Sequence, residues 1–234
     1  MTIELFRNDG YLQSCAAIVT AVEPGALQFD QSVFYPQSGG QPGDSGTITR
    51  ADGRQLKILD TRKERETGEH LHILEQDASL PDLGEQVALQ IDWSRRHRLM
   101  RMHSCMHLLC AIIPAGVTGG SVRDGSARLD FDLPEPPDKM RIEAELNRLI
   151  AEDHRMQLQW ISKEELDRQP DLVRTLSVKP PTGEGRVRLI EFEGVDLQPC
   201  GGTHVASTAE IGPVRVKKIE KKGKNNRRII IEFA

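Results

Sequence analysis

His103 and His107 lie four residues apart on a stretch of chain that we expect to be helical, and a second pair of similar residues follows far downstream. The first pair belongs to WSRRHRLMRMHSCMHLLCAII, which starts at Trp93 and contains neither Gly nor Pro. Cys200 and His204 are also four residues apart, but in Pro-Cys-Gly-Gly-Thr-His, where a proline and two glycines disfavour a helix. The two pairs can meet only if a helix face lies against a shaped loop.

Residues of these types, brought to one point, favour a metal ion. Two imidazoles four residues apart on a helix project from the same face, although this spacing alone is common on helices that bind nothing. Zinc prefers thiolate and imidazole ligands and takes four of them in a tetrahedron. The sequence therefore predicts one zinc ion per chain, held by His103, His107, Cys200 and His204.

The chain has enough apolar residues, 38% of its length, to fold without a structural zinc knot. A Gly-rich loop also suits a position where backbone must approach a ligand closely. We therefore expect an accessible metal, at which one of the four ligands gives way to water. His70 and His72 are expected in a turn-like stretch, and Cys110, which shares the histidine face, is interpreted as core packing.

The predicted secondary structure of the chain changes at Asp92. Residues 1–92 consist of short alternating runs separated by Pro, Gly and Asp, which predicts strands. Residues 93–234 mix helices and strands without a βαβ rhythm, so the predicted fold class is α+β with domains at 1–92 and 93–234. The strands expected before residue 93 are Ala16–Val22, Gly46–Thr49, Leu56–Leu59 and Gln86–Ile91. Those expected after it are Ala127–Asp132, Gln157–Ile161, Val187–Phe192, Val214–Ile219 and Ile229–Phe233.

Three helices are predicted from caps and periodicity. Asp92 can cap the helix that begins at Trp93. A second helix is expected from Asp138 to His154, and Ser162 with Glu165 forms a capping box for a short third one. One face of the second helix is apolar; it carries Ile142, Leu146, Leu149 and Ile150. A turn at residues 223–226 joins the last two strands.

The net charge of -4 argues against a protein that coats nucleic acid, but the charge is unevenly distributed along the chain. Residues 216–228 (VKKIEKKGKNNRR) carry seven Lys or Arg against one Glu, a stripe that could hold a phosphate backbone or could be a solvated strand pair. Four cysteines are too few for a disulfide framework. We find neither a secretory signal nor a segment of about 20 apolar residues, so a cytoplasmic location without membrane contact is expected.

Residues 35–46 (YPQSGGQPGDSG) must form a sharply bent loop because so many Gly and Pro residues do not fit inside a regular element. A structural turn and a binding site are both open interpretations of this loop. Taken by itself, the pattern is more typical of a turn.

Together these motifs resemble the editing domain of alanyl-tRNA synthetase and its free-standing AlaX-type relatives. The resemblance extends over nearly the whole chain. It is carried by HSCMHLL from His103, Gly120-Ser121, RLDF from Arg128, CGGTH from Cys200, AEIG from Ala209, and the N-terminal Gly39-Gly40-Gln41 with Asp44-Ser45-Gly46. Met106 departs from the pattern, since many relatives carry a small polar residue there. We therefore do not expect a hydroxyl contact from that position.

The resemblance implies the medium-length class, a small N-terminal β-barrel domain followed by an α+β editing domain whose antiparallel sheet is packed by helices. Neither an aminoacylation domain nor a C-terminal oligomerisation domain is expected within 234 residues, and no obligate protein partner is implied. The implied activity is deacylation of tRNA(Ala) mischarged with serine or glycine, which spares Ala-tRNA(Ala). An alanine-sized activating pocket cannot exclude glycine and rejects serine only modestly, so a second sieve is needed.

In this interpretation the catalytic residues are His103, His107 and Cys200 around zinc, with Thr118 as a candidate to bind the seryl hydroxyl or, alternatively, an ordinary loop residue. The residues expected to contact substrate or tRNA are Gly39, Gly40, Gln41, Thr118, Arg128, Lys217, Lys218, Lys221, Lys222, Lys224, Arg227 and Arg228. Arg95, Arg96 and Arg98 are further candidates for phosphate contacts.

Three alternatives stay open from the sequence. The additional domain of threonyl-tRNA synthetase has a similar His and Cys pattern, which would make Ser-tRNA(Thr) the substrate. A zinc-stabilised RNA-binding module would carry no catalysis. A hydrolase with Cys200 as nucleophile would need no metal.

Overall fold

The computed structural model describes residues 2–64, 66–76, 79–175, 182–183 and 185–234. Contacts divide the chain into two compact units, Met1–His97 and Arg98–Ala234. The α+β class is confirmed, with a small closed barrel in the first unit and antiparallel sheets with helices in the second. In the described ranges, no helix combines the length and apolarity needed to cross a membrane.

Unit 1 is built around a six-stranded barrel. Its strands close in the order β2-β3-β7-β6-β5-β8, and β1 pairs in parallel with β4 outside the barrel. Along β8, buried Val87, Leu89 and Ile91 alternate with exposed residues, so one side of each strand fills the barrel. The strands of unit 1 are β1 (Ile3–Glu4), β2 (Ser14–Glu23), β3 (Ala26–Phe29), β4 (Gln31–Ser32), β5 (Gly46–Arg50), β6 (Gln55–Lys63), β7 (His70–Leu74) and β8 (Gln86–Ile91).

The turn-like assignment of His70 and His72 is wrong, because both lie in strand β7 and both side chains are buried. In the strand sequence His-Leu-His-Ile-Leu, the two histidines occupy buried positions. Because histidine is polar, the alternation of apolar and polar residues that normally indicates a strand is absent here. His72 is held by Ser32 Oγ at 2.8 Å from Nε2 and by the Leu27 carbonyl at 3.2 Å from Nδ1. Hydrogen bonds thus satisfy a buried polar ring that also packs against Phe29 and Phe34.

The Gly-rich loop is a structural turn followed by two close backbone contacts. Gly39 and Gly40 have φ of 53° and 84°, and Ser38 and Gln41 exchange backbone hydrogen bonds across them. A Cβ on Gly43 would lie 1.9 Å from the Thr61 carbonyl oxygen, and one on Gly46 would lie 2.1 Å from that of Gln90. The glycines therefore serve chain reversal and backbone packing inside unit 1.

Unit 2 contains two antiparallel sheets. One has the order β15-β16-β10-β9; in the other, β13 pairs with β11, β12 and β14. The predicted turn at 223–226 is confirmed, since Gly223 pairs with Asn226 between β15 and β16. The strands are β9 (Val117–Arg123), β10 (Ser126–Asp132), β11 (Met156–Ser162), β12 (Thr182–Gly183), β13 (Arg186–Phe192), β14 (Asp196–Pro199), β15 (Val214–Gly223) and β16 (Asn226–Phe233).

The three predicted helices are present with the predicted caps. The helices are α1 (Trp93–Ile112), α2 (Lys139–Ala151) and α3 (Lys163–Asp167). Asp92 Oδ1 accepts from Arg95 N at 3.0 Å, Asp138 caps α2, and Ser162 with Glu165 forms the capping box of α3. The boundary between residues 92 and 93 stays our proposal for the division into domains.

Candidate metal centre

Helix α1 supplies the first half of the candidate site. His103 and His107 are 6% and 3% exposed, and their ring centroids lie 5.7 Å apart, as expected for neighbouring turns of one face. The adjoining Met106 packs under strand β9, because a Cβ on Gly120 would lie 3.1 Å from the Met106 Cε. Gly120 therefore allows β9 to lie close to the histidine-bearing face.

The loop that starts at Cys200 supplies the second half. Strand β14 ends at Pro199, paired with Leu189, so the thiol begins the loop directly after an ordered strand. Arg188 is 3% exposed, and its Nη1 donates to the carbonyl oxygens of Cys200 at 3.0 Å and Gly202 at 2.7 Å. Arg188 carries no signal in the sequence, yet it fixes the conformation of this loop.

The structure brings the four predicted ligands together. Their donor atoms all lie within 4.8 Å of one another. Cys200 Sγ is 3.3 Å from His204 Nε2 and 3.5 Å from His103 Nε2. The rings of His103 and His107 lie 4.4 and 4.5 Å from that of His204, centroid to centroid.

This donor set fits zinc. A sulfur about 2.3 Å and a nitrogen about 2.0 to 2.1 Å from one ion lie roughly 3.6 Å apart in a tetrahedron. The two sulfur-to-nitrogen distances above are close to that value, and one thiol with three imidazoles is a chemically suitable set. The assignment of zinc itself stays a prediction.

The charges of the cluster suit ligation by the thiol. Burial disfavours a thiolate, but His103 and His204 outweigh it and hold the pKa of Cys200 well below its ordinary range. Burial, together with His103 and His107, holds the pKa of His204 well below its usual value despite the nearby Cys200. A thiolate and a neutral imidazole are the forms that bind metal ions.

His107 differs from His204 in its polar partner. Burial opposes the imidazolium, but the hydrogen bonds to Asp196 and Cys200 raise the pKa of His107 to about 9. The Nδ1 of His204 instead lies 3.4 Å from Ser104 Oγ, a neutral partner. Sequence reasoning missed both Asp196 and Ser104, since neither belongs to a spacing pattern of ligands.

Cys105 and Cys110 are buried on the same helix, which confirms the interpretation of Cys110 as a core residue. Burial raises the pKa of each thiol to about 12. Neither belongs to the cluster of donor atoms found among the described residues.

Thr118 lies in strand β9 rather than in a loop. Its hydroxyl donates to the Asp130 carbonyl at 3.1 Å and accepts from Asn226 Nδ2 at 2.8 Å. The register of β9 against β10 shifts at this point, which leaves Thr118 between the paired residues Val117 and Gly119. A contact from this hydroxyl to a substrate would compete with two bonds inside the sheet.

The predicted tRNA contacts need correction at three positions, because their side chains are buried. Gln41 is 0% exposed inside unit 1, and Arg96 is 0% exposed and paired with Asp44. Arg227 is 6% exposed, and its guanidinium donates to backbone carbonyls that include those of Gly223 and Pro134. These side chains cannot reach a phosphate without rearrangement.

The remaining predicted contacts are on the surface. Gly39 and Gly40 are exposed at the turn of unit 1. Arg128 and Arg228 both pair with Asp130, at 2.8 Å, and their side chains are 32% and 25% exposed. Most basic residues of the β15–β16 hairpin form ion pairs with carboxylates; besides Arg228, these are Arg215 and Lys217 with Glu232, and Lys218 and Lys222 with Glu220.

Two family models match the chain. Residues 187–230, which include the Cys200 loop, match the threonyl and alanyl tRNA synthetase second additional domain. Residues 3–95 match the class II (A) tRNA synthetases. The two matched segments do not overlap in the sequence.

Relatives of similar length share one function in their names. The chain is 32% identical to the alanyl-tRNA editing protein AlaX-M of Saccharolobus solfataricus, over 98% of each chain. It is 35% identical to AlaX-M of Methanosarcina mazei, over 98% of this chain and 95% of the relative. An alanine–tRNA ligase of Sulfurisphaera tokodaii is 33% identical over 94% of this chain, which corresponds to 25% of the ligase.

Proposed function

The chain belongs to the AlaX family of alanyl-tRNA editing proteins, and on that premise we propose that it deacylates Ser-tRNA(Ala) and Gly-tRNA(Ala) while sparing Ala-tRNA(Ala). The enzyme class is that of an aminoacyl-tRNA deacylase, a carboxylic ester hydrolase. The observation that supports a metal-assisted reaction is the meeting of three imidazoles and one thiol within 4.8 Å.

The reaction is an ester hydrolysis. The oxygen of water adds to the carbonyl carbon of the aminoacyl ester, the bond from that carbon to the ribose oxygen breaks, and a proton passes to the leaving hydroxyl. A bound zinc ion supplies a fixed positive charge that polarises a carbonyl and favours ionisation of water. His103, His107, Cys200 and His204 would hold the ion.

The protein itself supplies the geometry. Arg188 holds the carbonyls of Cys200 and Gly202, so the thiol stands opposite the α1 histidines without any contribution from substrate. The ligand atoms are buried or half-buried, which limits the water around a reacting ester.

Discrimination against alanine requires a group that recognises the smaller or the hydroxylated side chain. Thr118 is our candidate for the seryl hydroxyl, in exchange for one of its bonds within the sheet. A pocket that satisfies this hydroxyl leaves a polar group unpaired with alanine, and this penalty disfavours cleavage of Ala-tRNA(Ala). A Thr118→Val variant should lose activity on Ser-tRNA(Ala) more than on Gly-tRNA(Ala).

Metal analysis coupled to deacylation tests the proposal. Purified protein is assayed for zinc and then for release of amino acid from Ser-, Gly- and Ala-tRNA(Ala) and from Ser-tRNA(Thr). We expect about one zinc per chain and cleavage of the first two substrates only. Cleavage of Ser-tRNA(Thr) alone would refute the assignment in favour of the threonine system.

Cys200→Ala distinguishes an enzyme from a structural module. This variant should stay folded and lose both zinc and activity, whereas Cys15→Ala, which changes a half-buried thiol in unit 1, should keep both. Loss of folding in Cys200→Ala, with no deacylation by the wild type, would support a zinc-stabilised RNA-binding module. Activity that survives complete removal of metal but is abolished by thiol alkylation would support Cys200 as a nucleophile.

A further inference from the structure

Asp196 is a buried carboxylate in direct contact with one of the candidate ligands. It begins strand β14, pairs with Phe192, and its side chain is 0% exposed. Its Oδ2 lies 2.9 Å from Nδ1 of His107. No spacing pattern, family motif or relative's name assigns this residue a role.

The contact determines which nitrogen of His107 carries the proton. An ionised carboxylate can only accept, so the hydrogen bond requires the proton on Nδ1. In the neutral form of the ring, which is the form that binds a metal ion, Nε2 is then the nitrogen with a lone pair and the one available to the donor cluster. Gln198 Nε2 also donates to Asp196 Oδ2, at 2.8 Å. Because Gln198 Nε2 and His107 Nδ1 donate to the same oxygen, these two nitrogens lie only 3.0 Å apart.

The burial of Asp196 is otherwise unfavourable. Among the described residues, its Oδ1 has no hydrogen-bond partner although it is out of contact with solvent. Burial of a carboxylate with one oxygen unsatisfied costs free energy, and a neutral side chain would avoid this cost. A buried carboxylate of this kind is expected where its charge has a functional role.

We propose that Asp196 is a positioning residue that fixes the tautomer and ring orientation of His107 and thereby strengthens zinc binding. The proposal rests on the proposed zinc site. A carboxylate behind a ligating imidazole increases its basicity, and loss of such a partner typically weakens metal affinity 10- to 100-fold. The Phe192 ring, 6.0 Å from that of His107 in an edge-on arrangement, limits rotation from another side.

Zinc affinity of the full-length chain tests the proposal. The Kd is measured by competition with a chromophoric chelator for wild type, Asp196→Asn, Asp196→Ala and Glu193→Gln. Glu193 is an exposed carboxylate just after β13 that bonds Gln157 and no ligand, so its variant controls for the change of carboxylate to amide. We expect about 10- to 100-fold weaker binding in both Asp196 variants and an unchanged Kd in Glu193→Gln.

The tautomer of His107 provides a second readout, in case the Asp196 variants fail to fold. In the zinc-loaded wild type, nitrogen-15 NMR should find the His107 proton on Nδ1. A proton on Nε2, or an Asp196→Asn Kd within threefold of the wild-type value, would overturn the positioning role. A wild-type chain that binds no zinc would overturn the proposed function as well, so the two failures are distinguishable.

Discussion

Asp44 and Arg96 form an ion pair that is removed from solvent, with side chains 1% and 0% exposed. Arg96 Nε lies 3.0 and 2.9 Å from the two carboxylate oxygens. The remaining guanidinium nitrogens donate to the carbonyls of Gly10 and Val33, and Tyr35 N donates to Asp44 at 2.7 Å. This pair ties the end of the Gly-rich loop to the first turn of α1 within unit 1.

Asp44→Ala is expected to destabilise unit 1 strongly, because it leaves the buried Arg96 without a counter-charge. Removal of one partner of a buried pair typically costs about 3 to 5 kcal/mol. Urea unfolding of the full-length chain measures the change. Asp52→Ala removes one partner of an exposed pair with Arg54, with side chains 46% and 57% exposed, and should change stability far less. Equal effects of the two substitutions would contradict the structural role of Asp44.

The two contact glycines should tolerate alanine less well than a turn glycine. A methyl at Gly43 collides with the Thr61 backbone, so Gly43→Ala should cost about 3 kcal/mol or more. Gly39 has φ of 53° but open space where a methyl group would lie, so Gly39→Ala should cost only about 1 to 2 kcal/mol. Thermal or urea unfolding compares them. A larger loss for Gly39→Ala would show that backbone conformation, and not close approach, dominates in this loop.

Acid should destabilise unit 1 through its buried histidines. Burial, with Lys63 and Arg7 nearby, lowers the pKa of His70 to about 3, and burial with His70 lowers that of His72 to about 3. Between about pH 6.5 and 3, these imidazoles are protonated in the unfolded chain but stay neutral in the folded barrel. The free energy of unfolding therefore falls as the pH drops through this range. Each histidine adds about 1.4 kcal/mol per pH unit to the slope in this range.

Urea unfolding between pH 4 and 6, followed by Trp93 fluorescence in a Trp160→Phe background, measures this slope. His72→Gln should reduce it, because one titrating group is removed from the barrel. His154→Gln makes the same substitution in unit 2, outside the barrel, and is the matched control for the exchange of histidine for glutamine. An unchanged slope in His72→Gln would show that His72 does not resist protonation in the folded barrel.

The basic hairpin should bind tRNA chiefly through its unpaired lysines. Among the described residues, Lys221 and Lys224 form no ion pair, whereas Lys217 lies 2.8 Å from Glu232. Lys221→Ala with Lys224→Ala should weaken tRNA binding and reduce the slope of log affinity against log salt by about 0.7 to 0.9 per lost phosphate contact. Lys163→Ala, an exposed lysine on α3, should change neither quantity. Filter binding at several salt concentrations tests this expectation.

The sequence was most informative where local chemistry determines structure. The caps Asp92, Asp138 and Ser162 fix helix starts through hydrogen bonds to neighbouring backbone, so their helices could be predicted from adjacent residues. That His103 and His107 lie on one face of a helix also follows from local geometry, since they are four residues apart. Their meeting with Cys200 could be inferred only from chemistry, because no local rule brings residues so distant in sequence together.

The parts that were missed depend on tertiary contacts. Two of the buried positions of strand β7 are histidines, so its sequence lacks the apolar alternation of a typical strand. Strand β9 contains two glycines, which are normally disfavoured in strands. Asp196 and Arg188 act through hydrogen bonds to residues that are distant in the sequence, and such bonds leave no periodicity there. Arg96 and Arg227 look like surface cations in the sequence, and only their burial reveals a structural role.

The Arg188 bonds to the loop bear on when the site acquires its shape. Since the carbonyls of Cys200 and Gly202 are already occupied by a buried guanidinium from β13, ordering of the loop is completed during folding of the polypeptide. Binding of a metal ion therefore costs little further conformational entropy of the chain. Domains that are unfolded until metal binds must lose that entropy during binding. Demetallated protein should therefore remain a folded receptor that can be reloaded without passing through a denatured state.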